Sequence, residues 1–161
     1  MWYISRMRKK SIIIAFLVVL IDQISKLVVD NVFVLGKLKT IVPNFFYLTK
    51  MYNEGAAWNL FDGAVNVLVI VSIIAFLFLF RYQRVLKNNI RNIVAFALIY
   101  GGLIGNLIDR VIYGYVIDFI ELHFGNYIFP VFNIADMAIV CGVILLLVAI
   151  IKGEEHDSNS K

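Results

Sequence analysis

The sequence predicts an all-α membrane fold: four transmembrane helices, a small exoplasmic β-cradle after the first, and a short exoplasmic segment between the third and fourth. Three observations lead there. Of the 161 residues, 61% are hydrophobic and only 16% charged, whereas a soluble domain carries about 45–50% apolar and about 25% charged residues. Four apolar runs approach the roughly 20 residues that a helix needs to cross a hydrocarbon layer of about 30 Å. The basic residues gather at the ends of those runs, so the net charge of +4 marks membrane topology rather than nucleic-acid binding.

The first run, 11–29, follows Arg6, Arg8, Lys9 and Lys10. That arrangement looks like a secretory signal, but it is too long and lacks an Ala-x-Ala cleavage site, so it reads as a retained anchor. Residues 31–62 come next. Their aromatic and β-branched content, Pro43 and the turn-like Asn53-Glu54-Gly55 read as short strands, the cradle, rather than helix. The second run, 64–80, ends on Arg81, Arg84, Lys87 and Arg91, and the third occupies 93–111. Residues 112–133 carry no Lys or Arg and form the second exoplasmic connection; the first carries only Lys37, Lys39 and Lys50. The fourth run, 134–151, precedes Lys152, and Lys161 ends the chain. Basic clusters before the first span, between the second and third, and after the fourth place both termini in the cytoplasm. Residues 1–152 therefore read as a single domain without internal repeats. Residues 153–161 are too polar to pack and read as a disordered cytoplasmic tail.

Several chemistries are excluded at once. Cys141 is alone, which rules out a disulfide framework, and with His123 and His156 as the histidines there is no zinc-type cluster. No histidine within a span is available to activate Cys141 as a nucleophile.

Polar groups inside a span are costly unless paired, so each demands an explanation. Asp22 and Lys26 lie four residues apart on one helical face. Asn106, Asp109 and Arg110 repeat that spacing near the end of the third span, Asp118 follows shortly after, and Asn133 and Asp136 open the fourth. Spans one and three run outward and span four runs inward. All eight groups then fall in the outer half or at the exoplasmic rim, while the cytoplasmic halves are almost purely apolar. Convergence at one depth points to one shared site.

Plain structural roles account for several of these residues. Asp22 with Lys26 reads as an ion pair that neutralises itself. Asp109 and Arg110, adjacent and so not facing one another, suit structural hydrogen bonds or lipid phosphate. Asn53 is a turn former, Trp58 and the other exoplasmic aromatics an interfacial belt, and His123 a solvated loop residue. Asp118 and Asp136 differ, because neither has a cation at helical spacing and each is flanked by apolar residues. Burial raises the pKa of such an acid, and two acids in one site cannot readily both ionise. One shared proton supplies an acid and a base together, as peptide hydrolysis by activated water requires. The residues alone also admit a transporter or proton relay through Asp22, Asp109, Asp118 and Asp136, although a relay needs acids through the full depth. A non-catalytic assembly subunit leaves the two unaccompanied acids unexplained.

Five motifs in order carry a resemblance: Asp22-Gln23-x-x-Lys26, Asn53-x-Gly55-Ala56-Ala57-Trp58, Gly105-Asn106-x-x-Asp109-Arg110, Val116-x-Asp118-Phe119-Ile120 and Phe132-Asn133-x-Ala135-Asp136. On these the chain resembles the lipoprotein signal peptidases, the type II signal peptidases of bacteria, over all but its tails. The resemblance implies an aspartyl endopeptidase of the bacterial cytoplasmic membrane, cleaving prolipoproteins on the amino side of a diacylglyceryl-modified cysteine. It implies Asp118 and Asp136 as the catalytic pair, with no metal or organic cofactor. Asn53, Gly55, Asn106, Arg110, Asn133 and Ala135 would position substrate, and Asp22, Lys26 and Asp109 would support the site. The expected partners are the prolipoprotein and membrane lipids, not nucleic acid, and the chain is expected to be a monomer. Its cradle would lie on the membrane surface and grip the extended end of the signal peptide. Two positions depart from the pattern: Met137 stands where a small or polar residue is more usual, and Asn59 has no assignment. A diacylglyceryl chain lies in the outer leaflet, which puts the scissile bond at the depth inferred for the acids.

Overall fold

In the computed structural model, residues 2–55 and 63–153 are described, with side chains from residue 9 onward. Four α-helices and four strands follow in the order α1 (Trp2–Val32), β1 (Lys39–Val42), β2 (Phe46–Asn53), α2 (Val65–Tyr82), α3 (Ile90–Tyr113), β3 (Val116–Phe124), β4 (Tyr127–Ile128) and α4 (Ile134–Ile151). All four helices are long and apolar enough to cross a membrane. The expected spans 11–29, 64–80 and 93–111 are each exceeded at one end or both; 134–151 matches α4. Helices outrun their apolar runs where polar residues satisfy the backbone beyond them, as Asn89 does by accepting from the Asn92 N–H at 2.9 Å to cap α3.

α3 is the central helix. It is largely buried, whereas α2 is almost wholly exposed along Ile70, Ile74, Leu77 and Phe78. Apolar burial does not drive helices together inside lipid, so close backbone approach has to hold them, and small residues permit it. α3 supplies Gly101, Gly102 and Gly105. A Cβ on Gly101 would fall 2.6 Å from Cβ of Val18 on α1, and one on Gly102 would collide with the carbonyl of Ala135 on α4. One on Gly105 would meet both neighbours, through Asp22 and Ala135. Gly142 answers from α4, where a Cβ would lie 2.7 Å from the Ala95 carbonyl. Away from the sheet, Phe96, Ile99 and Tyr100 pack with Leu86, Leu146 and Ala149, and Phe76 of α2 closes on them.

The sheet corrects one expectation. The cradle is not confined to 31–62, and the segment between the third and fourth helices is not a plain connection. It forms β3 and β4, which complete an antiparallel sheet in the order β1-β2-β3-β4. The alternation in 116–124 is masked because both faces are buried at its start, from Val116 to Phe119. One face of the sheet end packs through Ile117 and Phe119 on Val29 of α1 and Phe33 just beyond it. β2 and β3 pair Phe46 with Leu122, Met51 with Asp118 and Asn53 with Val116, with a bulge between Leu48 and Met51. The bulge releases Lys50 from the ladder, and its ammonium reaches the Asp30 carboxylate at 3.1 Å and carbonyl at 2.8 Å. Gly114, at φ +79, ends α3 in the left-handed conformation and turns the chain directly into β3.

Candidate active site

The polar residues come together where the sheet meets the bundle. β3 carries Asp118, which is 2% exposed. α4 begins with Asn133 as its N-cap: its side chain accepts from the Asp136 N–H at 3.0 Å, and Asp136 returns the bond to the Asn133 N–H at 3.2 Å. This reciprocal cap holds Asp136 in the first turn, half-buried. α3 contributes Asn106, whose NH2 donates to Asp136 Oδ1 at 2.7 Å. Asn133 donates to Asp118 Oδ1 at 2.7 Å, and Asn53, at the end of β2, donates to Asp118 Oδ2 at 2.7 Å. Both oxygens of each acid thus face N–H donors, and Asn133 touches both acids.

The Asp118 carboxyl is pushed up to about 7 from its ordinary 3.8, first by burial and then by the charge of Asp136. The Asn53 and Asn133 hydrogen bonds and the Lys26 charge pull the other way without cancelling that. Asp118 therefore keeps its proton to near neutrality while a second carboxylate stands by, which suits general acid and base work at one point.

A charged cluster braces the site from behind. Lys26 Nζ lies 2.8 Å from Asp22 and 2.9 Å from Asp109, with all three side chains at most 3% exposed. The Asp22–Lys26 pair is thus not self-contained, since Asp109 shares the cation and ties α1 to α3. Asp22 also accepts from the Ala135 N–H at 2.9 Å, linking α1 to the start of α4. Asp109 accepts from Gln23 at 2.8 Å and, more weakly, from the Ile117 N–H at 3.4 Å. Being 1% exposed, it does not meet lipid phosphate. Arg110 donates to the Gly55 carbonyl at 3.2 Å, and the Gly55 N–H donates to Asn53 Oδ1 at 3.0 Å, so Asn53 is a turn former and a site residue together.

Every expected site residue lies in this network: Asp22, Lys26, Asn53, Gly55, Asn106, Asp109, Arg110, Asp118, Asn133, Ala135 and Asp136. Trp58, Asn59 and His156 fall outside the described residues. His123 corrects the expectation of a solvated loop. It sits on β3, bonded to the buried Glu121 and lying against the Tyr47 ring, 4.4 Å between centroids. Sequence reasoning gave no role to Gln23 or Gly105, although both lie within the quoted motifs. A glutamine in an apolar span was the available signal for the first, and a glycine one residue before Asn106 for the second.

The family model described as Signal peptidase (SPase) II matches residues 14–152. This chain belongs to the signal peptidase II family. It is 37% identical over 142 residues to the lipoprotein signal peptidase of Staphylococcus carnosus, covering 88% of this chain and 89% of that one. With the lipoprotein signal peptidase of Staphylococcus haemolyticus it shares 34% identity over 152 residues, or 94% of each chain. The fold matches a bacterial membrane enzyme solved by the in meso method at 2.3 Å, with a TM-score of 0.82 at 36% identity, covering 95% of this chain and 92% of that one. This signal peptidase II family member is accordingly a multi-pass bacterial membrane protease. Among the described residues, no group of three or more His, Cys, Asp or Glu is placed to hold a metal ion.

Proposed function

We propose that the protein removes the signal peptide from diacylglyceryl-modified prolipoproteins, cleaving on the amino side of the lipidated cysteine by water activated between Asp118 and Asp136. The observation that carries this reading is the shared Asn133, which donates to Asp118 through its side chain and to Asp136 through its backbone. Two acids on different elements are thereby held to one residue.

Asp118 enters the reaction protonated and hydrogen-bonds the scissile carbonyl. Asp136 takes a proton from water, and the hydroxide adds to the carbonyl carbon as its oxygen takes the Asp118 proton. When the C–N bond breaks, Asp136 gives its proton to the leaving amine and Asp118 recovers one from the gem-diol, which restores the pair. Asn53, Asn106 and Asn133 orient the acids. Arg110, Gly55 and Ala135 place the extended substrate beside them, and Asp22, Lys26 and Asp109 lock the helices that carry the site. The sheet lies at the exoplasmic surface with both termini cytoplasmic, so substrate anchored by its diacylglyceryl group arrives laterally from the outer leaflet. The working unit is a monomer of residues 1–152, with 153–161 as a cytoplasmic tail.

The test is cleavage of a lipidated prolipoprotein by reconstituted enzyme, beside an unlipidated control. Asp118→Asn and Asp136→Asn should each abolish turnover with folded yield unchanged, and the unlipidated substrate should resist. Near-wild-type turnover by either variant sinks the pair. Equal cleavage of both substrates sinks the lipid requirement.

A further inference from the structure

An asparagine amide has a donating end and an accepting end, and both acids need the donating one. Asn133 is oriented locally, because its Oδ1 must accept from the Asp136 N–H to cap α4. Asn106 lies within α3 and has no such local lock. Were its amide reversed, an oxygen would stand where the NH2 now meets Asp136 Oδ1, and attraction would become repulsion. What faces its Oδ1 decides the matter: Lys26 Nζ at 3.0 Å and Asn133 Nδ2 at 3.1 Å.

An ammonium has three donors and no acceptor, so it tolerates only an oxygen opposite. The three acceptors of Lys26 are Asp22 at 2.8 Å, Asp109 at 2.9 Å and Asn106 at 3.0 Å. Two carboxylates, one on α1 and one on α3, already suffice to tie those helices. The third contact also joins α1 to α3, but it differs in reaching the residue that donates to Asp136.

We infer that Lys26 is a positioning residue for the reaction: through the Asn106 amide oxygen it fixes the direction of the Asn106 NH2 and so supplies Asp136 with its side-chain donor. The inference rests on Asp118 and Asp136 being the reacting pair. It also explains why a lysine, rather than an apolar helix contact, is buried beside the acids.

A mutant cycle tests it, measuring kcat, KM and the pH profile for a lipidated prolipoprotein. Lys26→Met with Asp22→Asn leaves the cluster with one negative charge, as in the wild type, and keeps an oxygen for the Ala135 N–H. It should remain folded and lose about 10²-fold in kcat, the scale for misplacing a reacting group by about 1 Å, with KM little changed and the pH profile displaced. In an Asn106→Ala background the same pair of changes should cost nothing further in kcat and leave the profile where Asn106→Ala alone puts it. Lys26→Gln, compared in the same two backgrounds, gives a second reading should the first variant fold poorly. Losses that multiply, with equal fold-changes in both backgrounds, overturn the inference and leave Lys26 a helix tie. If Asp136→Asn keeps its turnover, the catalytic pair fails and this assignment with it; if Asp136→Asn is inactive and the losses multiply, only the Lys26 assignment fails.

Discussion

Alanine at position 105 would place a methyl group 2.6 Å from Oδ2 of Asp22, 3.2 Å from its Cγ and 3.3 Å from Cβ of Ala135. Asp22 cannot swing aside, because Lys26 holds one of its oxygens at 2.8 Å and the Ala135 N–H holds the other at 2.9 Å. Ordinary contact begins near 3.4 Å, so α3 must separate from Asp22 of α1 by about 0.8 Å, the difference between 3.4 and 2.6 Å, while Ala135 of α4 needs to give by only about 0.1 Å. Overpacking of this kind costs about 1–3 kcal/mol. At about 2–4 °C per kcal/mol for a chain of this size, Tm should fall by about 2–12 °C. The Ala135 N–H bond ties the first turn of α4 to Asp22, so the same displacement reaches Asp136, and kcat should fall toward 10²-fold. Thermal unfolding by intrinsic fluorescence in detergent, with the cleavage assay on the same preparation, measures both. Gly125→Ala is the control: its Cβ meets nothing within 4 Å, although φ +64 strains it locally, so its kcat should stay at wild type. A Gly105→Ala protein with wild-type Tm and kcat would refute the close-packing argument.

Other expectations concern the acids. Asp118 loses its proton as pH rises through about 7, so kcat/KM should fall about tenfold per unit above that point; a flat profile to pH 9 contradicts the assignment of Asp118 as the acid. Its folded pKa is raised, so its contribution to folding is complete below about 4, the ordinary aspartate value, and is lost as pH rises to about 7. The Tm difference between wild type and Asp118→Asn should therefore slope between those limits and level off above them. Asn53→Ala removes a donor that favours the ionised form. A charge-assisted bond is worth about 1.5–3 kcal/mol, so the alkaline limb should move up by about one to two pH units; a downward shift would show that Asn53 acts otherwise. Asn133→Ser keeps a helix cap but loses the amide donors to Asp118 and Asn106, so turnover should collapse while stability falls only by the loss of those bonds, about 1–3 kcal/mol. Turnover retained together with Tm would make Asn133 a cap alone.

Much of this was legible in the chain. The four spans follow from run length and apolarity, which bilayer thickness fixes without reference to any fold. Asp22, Lys26, Asn106, Asp109, Asp118 and Asp136 stood out because an ionisable or amide group in or beside an apolar span needs a partner. The β3 strand was not legible. Residues 116–119 are buried on both faces, which erases the alternation that marks a half-buried strand, and its partner β2 lies more than sixty residues earlier. His123 was misread for the same reason, since Glu121 and Tyr47 become its neighbours only once β2 and β3 pair.

Sequence by itself determined the solvent, the number of spans and the set of residues that had to be explained, because each depends on composition and short-range spacing against a bilayer of known thickness. Tertiary structure decided who pairs with whom. Lys26 is shared by Asp22, Asp109 and Asn106, Asn133 reaches both Asp118 and Asp136, and Asn53 crosses from β2 to Asp118. Those distances depend on how closely α1 and α4 approach α3 over its glycines and on the register of β2 against β3. Both are long-range matters, which no local pattern encodes.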